Sequence, residues 1–167
     1  MDNFKYDIGF VGSKWGKKYR GNLDDWDTYL EPLLNHNFSI CLAGLGTKKG
    51  PVNIKQHISI LKKSKLCPIF HAASWRVEKG IMDRFWTVFS LGRFGIIENE
   101  GIFDFFNSNE VVYASCPEEY YDKSIYFIKN TFEQEKYITA ILNRIKTEYN
   151  QHHVWSKIMK KIESNNR

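Results

Sequence analysis

A chain of 167 residues with a net charge of +5 has room for one domain or one lobe, and it can bury a core without disulfide or metal staples. Hydrophobic residues at 43% and charged residues at 26% exclude disordered and fibrous classes. No apolar run reaches the ~20 residues of a membrane span.

The positive charge favours anionic partners such as phosphates, nucleic acids or acidic membranes without choosing among them. Cys41, Cys67 and Cys116 are too far apart for a CxxC motif, and each lies in or beside an apolar run, so reduced, packed thiols are expected. No signal peptide is visible, and the default expectation is a cytosolic protein.

In chain order, Tyr6 to Val11 reads as a strand. It runs into Gly12, Ser13 and Lys14 and a basic loop from Trp15 to Gly21. Such a loop either cradles a phosphate with backbone N–H groups or is simply a solvated surface loop; it has neither Walker A nor G-x-G-x-x-G spacing. Leu23 to Leu34 reads as an amphipathic helix. Asp24, Asp25 and Asp27 fall in its first turn, where the helix dipole favours acids, and Pro32 kinks or ends it.

Phe38 to Ala43 is a second predicted strand, followed by a glycine-rich loop from Gly44 to Pro51. A helix is expected over Ile54 to Leu66, with Ile54, Ile58, Leu61 and Leu66 on its apolar side. A third strand over Cys67 to Ala72 carries His71 at its end, where a histidine is either packed or functional. Ser74, Trp75, Arg76 and Glu78 make a polar loop.

Asp83 to Asn99 is the most informative stretch. Phe85, Trp86, Val88, Phe89 and Leu91 are spaced like one side of a helix, Gly92 can cap it, and Phe94 to Ile97 is a short buried strand. Arg84 opens the helix and either grips a diphosphate or pairs with Asp83 or Glu78. Glu98, Asn99 and Glu100 leave the strand, where they bind sugar hydroxyls or merely solvate the loop.

Gly101 to Phe106 is a short predicted helix and Val111 to Ala114 a fifth strand. Pro117, Glu118 and Glu119 open a helical region with breaks near Asn130–Thr131 and Asn150–His153. The alternation predicts an α/β fold, a Rossmann-like doubly wound parallel sheet completed by C-terminal helices. In such sheets ligands bind at the carboxyl ends of the strands. His152–His153 lacks HExxH spacing, and no metal site is expected. Dispersed lysines and the lack of an aromatic platform motif argue against nucleic acid.

Several of these segments together resemble the C-terminal, donor-binding lobe of GT-B glycosyltransferases, and within them the spore-maturation, CgeB-like group of family-1-type transferases. The resemblance is carried by Ile8 to Ser13, Gly50-Pro51-Val52, Ser64-Lys65, Arg84 to Gly92, Phe94 to Ile97, Phe106 to Glu110, Val111 to Tyr113, Pro117 to Tyr120 and His153-Val154-Trp155. It implies one lobe over residues 1–167, without the acceptor lobe, that binds a UDP- or GDP-linked sugar and transfers it without a metal or other cofactor. The acceptor domain would lie elsewhere, on this chain's partner or the rest of a longer protein.

The resemblance also implies donor-binding residues: Gly12, Ser13, Lys14 and Arg84 at the diphosphate, a Val52 backbone contact to the base, Glu98 and Asn99 orienting the sugar, and His71 at a strand end near the ligand. Thr87 stands where the family has the glutamate that holds the ribose. A hydroxyl there replaces the two acceptor oxygens of a carboxylate. No catalytic residue is identified, and a non-catalytic module of the same fold is the alternative.

Overall fold

The computed structural model describes residues 3–14, 25–71, 76–150, 155–156, 159–160 and 164. The whole basic loop from Trp15 to Gly21, Leu23 and Asp24, Ala72 to Trp75 and His152 to Val154 therefore lie outside the described residues.

Three strands, β1 (Tyr6–Val11), β2 (Ile40–Ala43) and β3 (Ser64–Leu66), form a parallel sheet in the order β2-β1-β3. β1 pairs Ile8 with Ile40 and Val11 with Ala43 on one side, and Tyr6 with Ser64 and Ile8 with Leu66 on the other. The sheet continues beyond β3 through isolated contacts. Cys67 N–H donates to the Phe94 carbonyl at 2.9 Å, and a parallel bridge joins Ile97 to Tyr113. The predicted fourth and fifth strands are thus present as paths with single bridges rather than full ladders.

Helical segments cover both faces. A π-helical turn (Trp26–Leu30) leads into α1 (Glu31–Leu34), and α2 (Ile54–Lys62), α3 (Asp83–Ser90), α4 (Pro117–Lys129) and α5 (Gln134–Glu148) follow. Pro32 lies in the first turn of α1. It has no N–H to donate, and just before it the Glu31 N–H reaches back five residues to the Trp26 carbonyl.

Two buried clusters fill the layers. Phe10, Leu66, Phe70, Phe94, Ile96, Val112 and Ala114 face Trp26, Leu30, Tyr120 and Phe127. Cys67, Ile69, Ile97 and Val111 face Leu61, Phe85, Val88 and Phe89. Residues of alternating parity enter opposite clusters, as in a sheet buried on both faces. The fold is the expected α/β one.

Several boundaries differ from the sequence reading. The helix predicted over Ile54 to Leu66 stops at Lys62, and Ser64–Leu66 is β3. Ser64 Oγ donates to the Ile60 carbonyl at 2.7 Å, and Ser64 packs on Gly9, where any Cβ would overlap it. This long-range packing overrides a helical periodicity that Leu66 happened to continue. Ile54, assigned to the apolar side, is exposed; Ile60 and Leu61 are the buried residues. The third strand lies at Ser64–Leu66 rather than at Cys67 to Ala72. The helix expected over Gly101 to Phe106 is a 3₁₀ turn, Glu100–Asp104, opened by Asn99, whose side chain accepts from Gly101 N–H. Among the described residues no helix is long and apolar enough to cross a membrane.

Candidate functional site

The carboxyl end of β1 is held against that of β2. Gly12 N–H donates to the Ala43 carbonyl and Lys14 N–H to the Leu45 carbonyl, both at 2.8 Å. Those two amides continue the ladder, so they are not the phosphate donors that a free glycine loop would offer. Gly44 has φ +129°, and a Cβ there would overlap the Gly12 carbonyl, so only glycine allows this approach.

Arg84, in the first turn of α3, lies across the same strand end. Its guanidinium stands 4.1 Å above the Phe10 ring and 5.8 Å from that of Phe70, and Nη2 donates to the Val11 carbonyl at 3.4 Å. Gly12 leaves room for it: a Cβ at Gly12 would overlap Nη2 and crowd the Phe10 ring. Neither Asp83 nor Glu78 pairs with Arg84, and among the described residues it has no ion-pair partner. Burial pushes its pKa down to about 10, against the opposing effects of Tyr120, Glu98 and Cys67. It is therefore a cation at neutral pH with little local compensation. The cleft it faces has a volume of about 290 Å³ and is lined by Val11, His57, Met82, Asp83, Arg84 and Thr87.

Behind this cleft is a buried polar network. The His71 ring is inaccessible to solvent, with Nδ1 3.1 Å from Glu98 Oε2. Its Nε2 accepts from Met82 N–H at 3.2 Å, so the ring proton sits on Nδ1 and is donated to Glu98. Glu98 also accepts from the His71 backbone N–H. Arg76 joins Asp25 at 2.6 Å, reaches Glu98 at 3.5 Å and donates to the His71 carbonyl. Asn99 donates to the Gly80 carbonyl at 2.7 Å. Met82 is the N-cap residue of α3, so His71 and Glu98 fix where the helix carrying Arg84 begins.

The residues singled out from the sequence thus separate into groups. Gly12, Arg84 and Thr87 meet at one cleft end. His71, Glu98 and Asn99 are buried in the supporting network, while Glu100 is exposed and pairs with Lys79 at 3.1 Å. Lys14 lines a different cleft, 5.3 Å above the Trp26 ring and 3.9 Å from Asp27, and Ser13 is half-buried between Gly12 and Lys14. Val52 is half-buried against Cys41, Ala43 and Ile60.

Sequence reasoning missed His57 and the Asp25–Arg76 pair. Asp25 was ascribed to a helix dipole, yet it lies 51 residues from the arginine that neutralises it, and no local signal links them. His57 sits within a lysine-bearing helix whose amphipathic pattern does not single it out.

No curated protein matches the chain. A family model described as glycosyl transferase-like matches residues 3–160, which include all of the sheet and the cleft. The chain belongs to this glycosyl transferase-like family.

Proposed function

We propose that the chain is a GT-B-type donor-binding lobe of the CgeB-like group, which binds a UDP- or GDP-linked sugar for transfer to a separately supplied acceptor. The observation that carries this reading is Arg84: a half-buried guanidinium held over the Phe10 ring, with no ion-pair partner among the described residues, at the carboxyl end of the first strand of a parallel sheet. That is where open α/β sheets bind ligands, and a diphosphate would supply the missing counter-charge.

In this arrangement the diphosphate lies beside Gly12 and accepts hydrogen bonds from Arg84. As the glycosidic bond breaks, negative charge grows on the nucleotide diphosphate, and a fixed guanidinium stabilises it without reorganisation. Thr87, on the same helix one turn on, offers a hydroxyl to the ribose. His71, Glu98 and Asn99 act as positioning residues through the 76–82 segment and the start of α3, while Ser13, Lys14 and Val52 stand on neighbouring loops outside the lining of this cleft. The protein's own cations carry the charge in this scheme, without a metal. The three free thiols suit a reducing compartment such as the cytosol.

Titration calorimetry with UDP, GDP and their sugars tests this. Saturable binding of the sugar nucleotides is expected, and no binding to any of them overturns the proposal. Thr87, in place of a ribose-binding glutamate, favours a second reading in which the lobe binds the donor but does not turn it over. Donor hydrolysis by the chain, alone or with an acceptor domain, separates the two.

A further inference from the structure

The proposed diphosphate site contains a second ionisable side chain that neither the family match nor the functional reading assigns. His57 projects from the first half of α2 into the cleft that Arg84 faces, and its backbone N–H is already used by the Asn53 carbonyl at 2.9 Å. The ring is half-buried, and among the described residues no hydrogen-bond partner is seen for it.

The groups around it are few. From α3 come Arg84, Asp83 and the uncharged Thr87; from β1, Val11; from the segment before α3, Met82. Asp83 is exposed at the mouth. On the other flank of α2, Lys49, Lys55 and Lys63 line a separate groove, and Lys49 points to the Cys41 thiol at 3.7 Å. His57 therefore meets one dominant charge, the guanidinium of Arg84. Burial, and after it that guanidinium, hold the His57 pKa below its ordinary value, which favours a neutral imidazole beside the cation.

An anion placed between the two reverses this balance. It pairs with Arg84, cancels the repulsion and offers an acceptor to a ring N–H. We infer that His57 is a second contact for the donor's diphosphate and takes up a proton as the anion binds, so that donor affinity rises as pH falls from 8 to 6. This inference rests on the donor-site reading above and adds to it a specific residue and a specific pH response. The site would then discriminate by charge: a sugar-linked diphosphate, with two negative charges, is matched by Arg84 and a protonated His57.

The test is calorimetry of the whole chain with UDP- and GDP-linked sugars between pH 6 and pH 8. These donors are suitable because their doubly esterified phosphates do not titrate in this range, whereas free UDP and GDP would confuse the result through their own terminal phosphate. A rise of one unit in the His57 pKa on binding gives at most about tenfold tighter binding, reached well below the free-state pKa, and so a gain of about threefold to sixfold at pH 6 over pH 8. The expected result is that gain in the wild type, with net proton uptake seen as a dependence of the apparent binding enthalpy on the buffer's ionisation enthalpy. In His57→Gln the gain and the proton uptake vanish. His57→Lys, with a charge that does not titrate here, should bind tightly at pH 8 with a flat profile. It also guards against a misfolded glutamine variant, as do unfolding midpoints for both.

A flat wild-type profile, or an unchanged pH response in His57→Gln, overturns the inference while leaving the donor site standing. Absence of binding by the wild type at every pH overturns the donor site and the inference together.

Discussion

Arg84 presents an unusual balance for a single residue. Its charge is partly withdrawn from water, and what it receives in return is the face of Phe10, one long hydrogen bond to a backbone carbonyl and distant favourable charges. A cation over an aromatic ring gains about 0.5–2 kcal/mol, while an isolated charge in the protein interior costs more than that. An arginine kept for stability would have a carboxylate partner. The predictions for the residue therefore split in sign. Arg84→Met fills the space against Phe10 and Phe70 with an adaptable apolar chain and should leave the unfolding midpoint unchanged or raised. The same change should weaken sugar-nucleotide binding by about 1.5–3 kcal/mol, the scale of a lost charged hydrogen bond. A variant that loses stability and keeps its affinity would show that Arg84 is a structural residue. Its position was legible from the sequence because the helix start, the apolar run and the glycine stop are all local. Its lack of a partner was not, since that depends on what five distant segments place around it.

At the level of elements, local chemistry decided what could be read. Gly92 ends α3 with φ +66°, its N–H bonding the Phe89 carbonyl and the Arg93 N–H the Val88 carbonyl, a Schellman cap that the glycine alone announced. Pro117 at the first position of α4 was equally visible. The α2–β3 junction was not, because Ser64 is drawn into the sheet by Gly9, 55 residues earlier in the chain. The start of α4 also carries a pH dependence. Glu119 accepts from the Ser115 N–H at 2.6 Å and Oγ at 2.7 Å and pairs with Lys123 at 2.6 Å. The Lys123 contact, then the Ser115 bonds, bring its carboxyl from an ordinary 4.5 to about 2. A carboxyl lowered in the folded state stabilises the fold fully above its unfolded value, so this contribution is present above about pH 4.5 and is lost as pH falls toward 2. The pair is more than a third open to solvent, which limits it to about 0.5–1 kcal/mol. Urea unfolding of Glu119→Gln should show that deficit at pH 7 and a smaller one at pH 3; equal midpoints at pH 7 would reject the assigned role.

On the scale of the whole molecule, the site is held together by contacts between parts far apart in sequence. Asp25 precedes the helical turn at Trp26–Leu30, Arg76 precedes α3, His71 ends the path from β3, and Glu98 ends the path that follows α3. Their hydrogen bonds form one network, which His71 joins to Met82, the residue from which α3 and Arg84 begin. This explains why polar residues at strand ends, which a sequence reader assigns to the ligand, are buried here with protein partners: a ligand-facing cation needs a fixed helix start, and a fixed start needs satisfied buried groups beneath it. The arrangement predicts coupling that contact with the donor alone would not give. Asp25 is only 5% exposed, so Arg76→Met strands its carboxylate, whereas Asp25→Asn leaves an arginine with 28% of its side chain in water and Glu98 still near. Arg76→Met should therefore cost the more of the two, and the double variant less than their sum, with a coupling of about 1–3 kcal/mol in urea unfolding. Because the network sets the start of α3, Arg76→Met should also weaken sugar-nucleotide binding in conditions where the variant remains folded, although Arg76 lies outside the lining of the cleft. Additive stabilities, or a folded variant with wild-type affinity, would mean that α3 is placed by its apolar contacts with the sheet and that the polar network only satisfies its own buried groups.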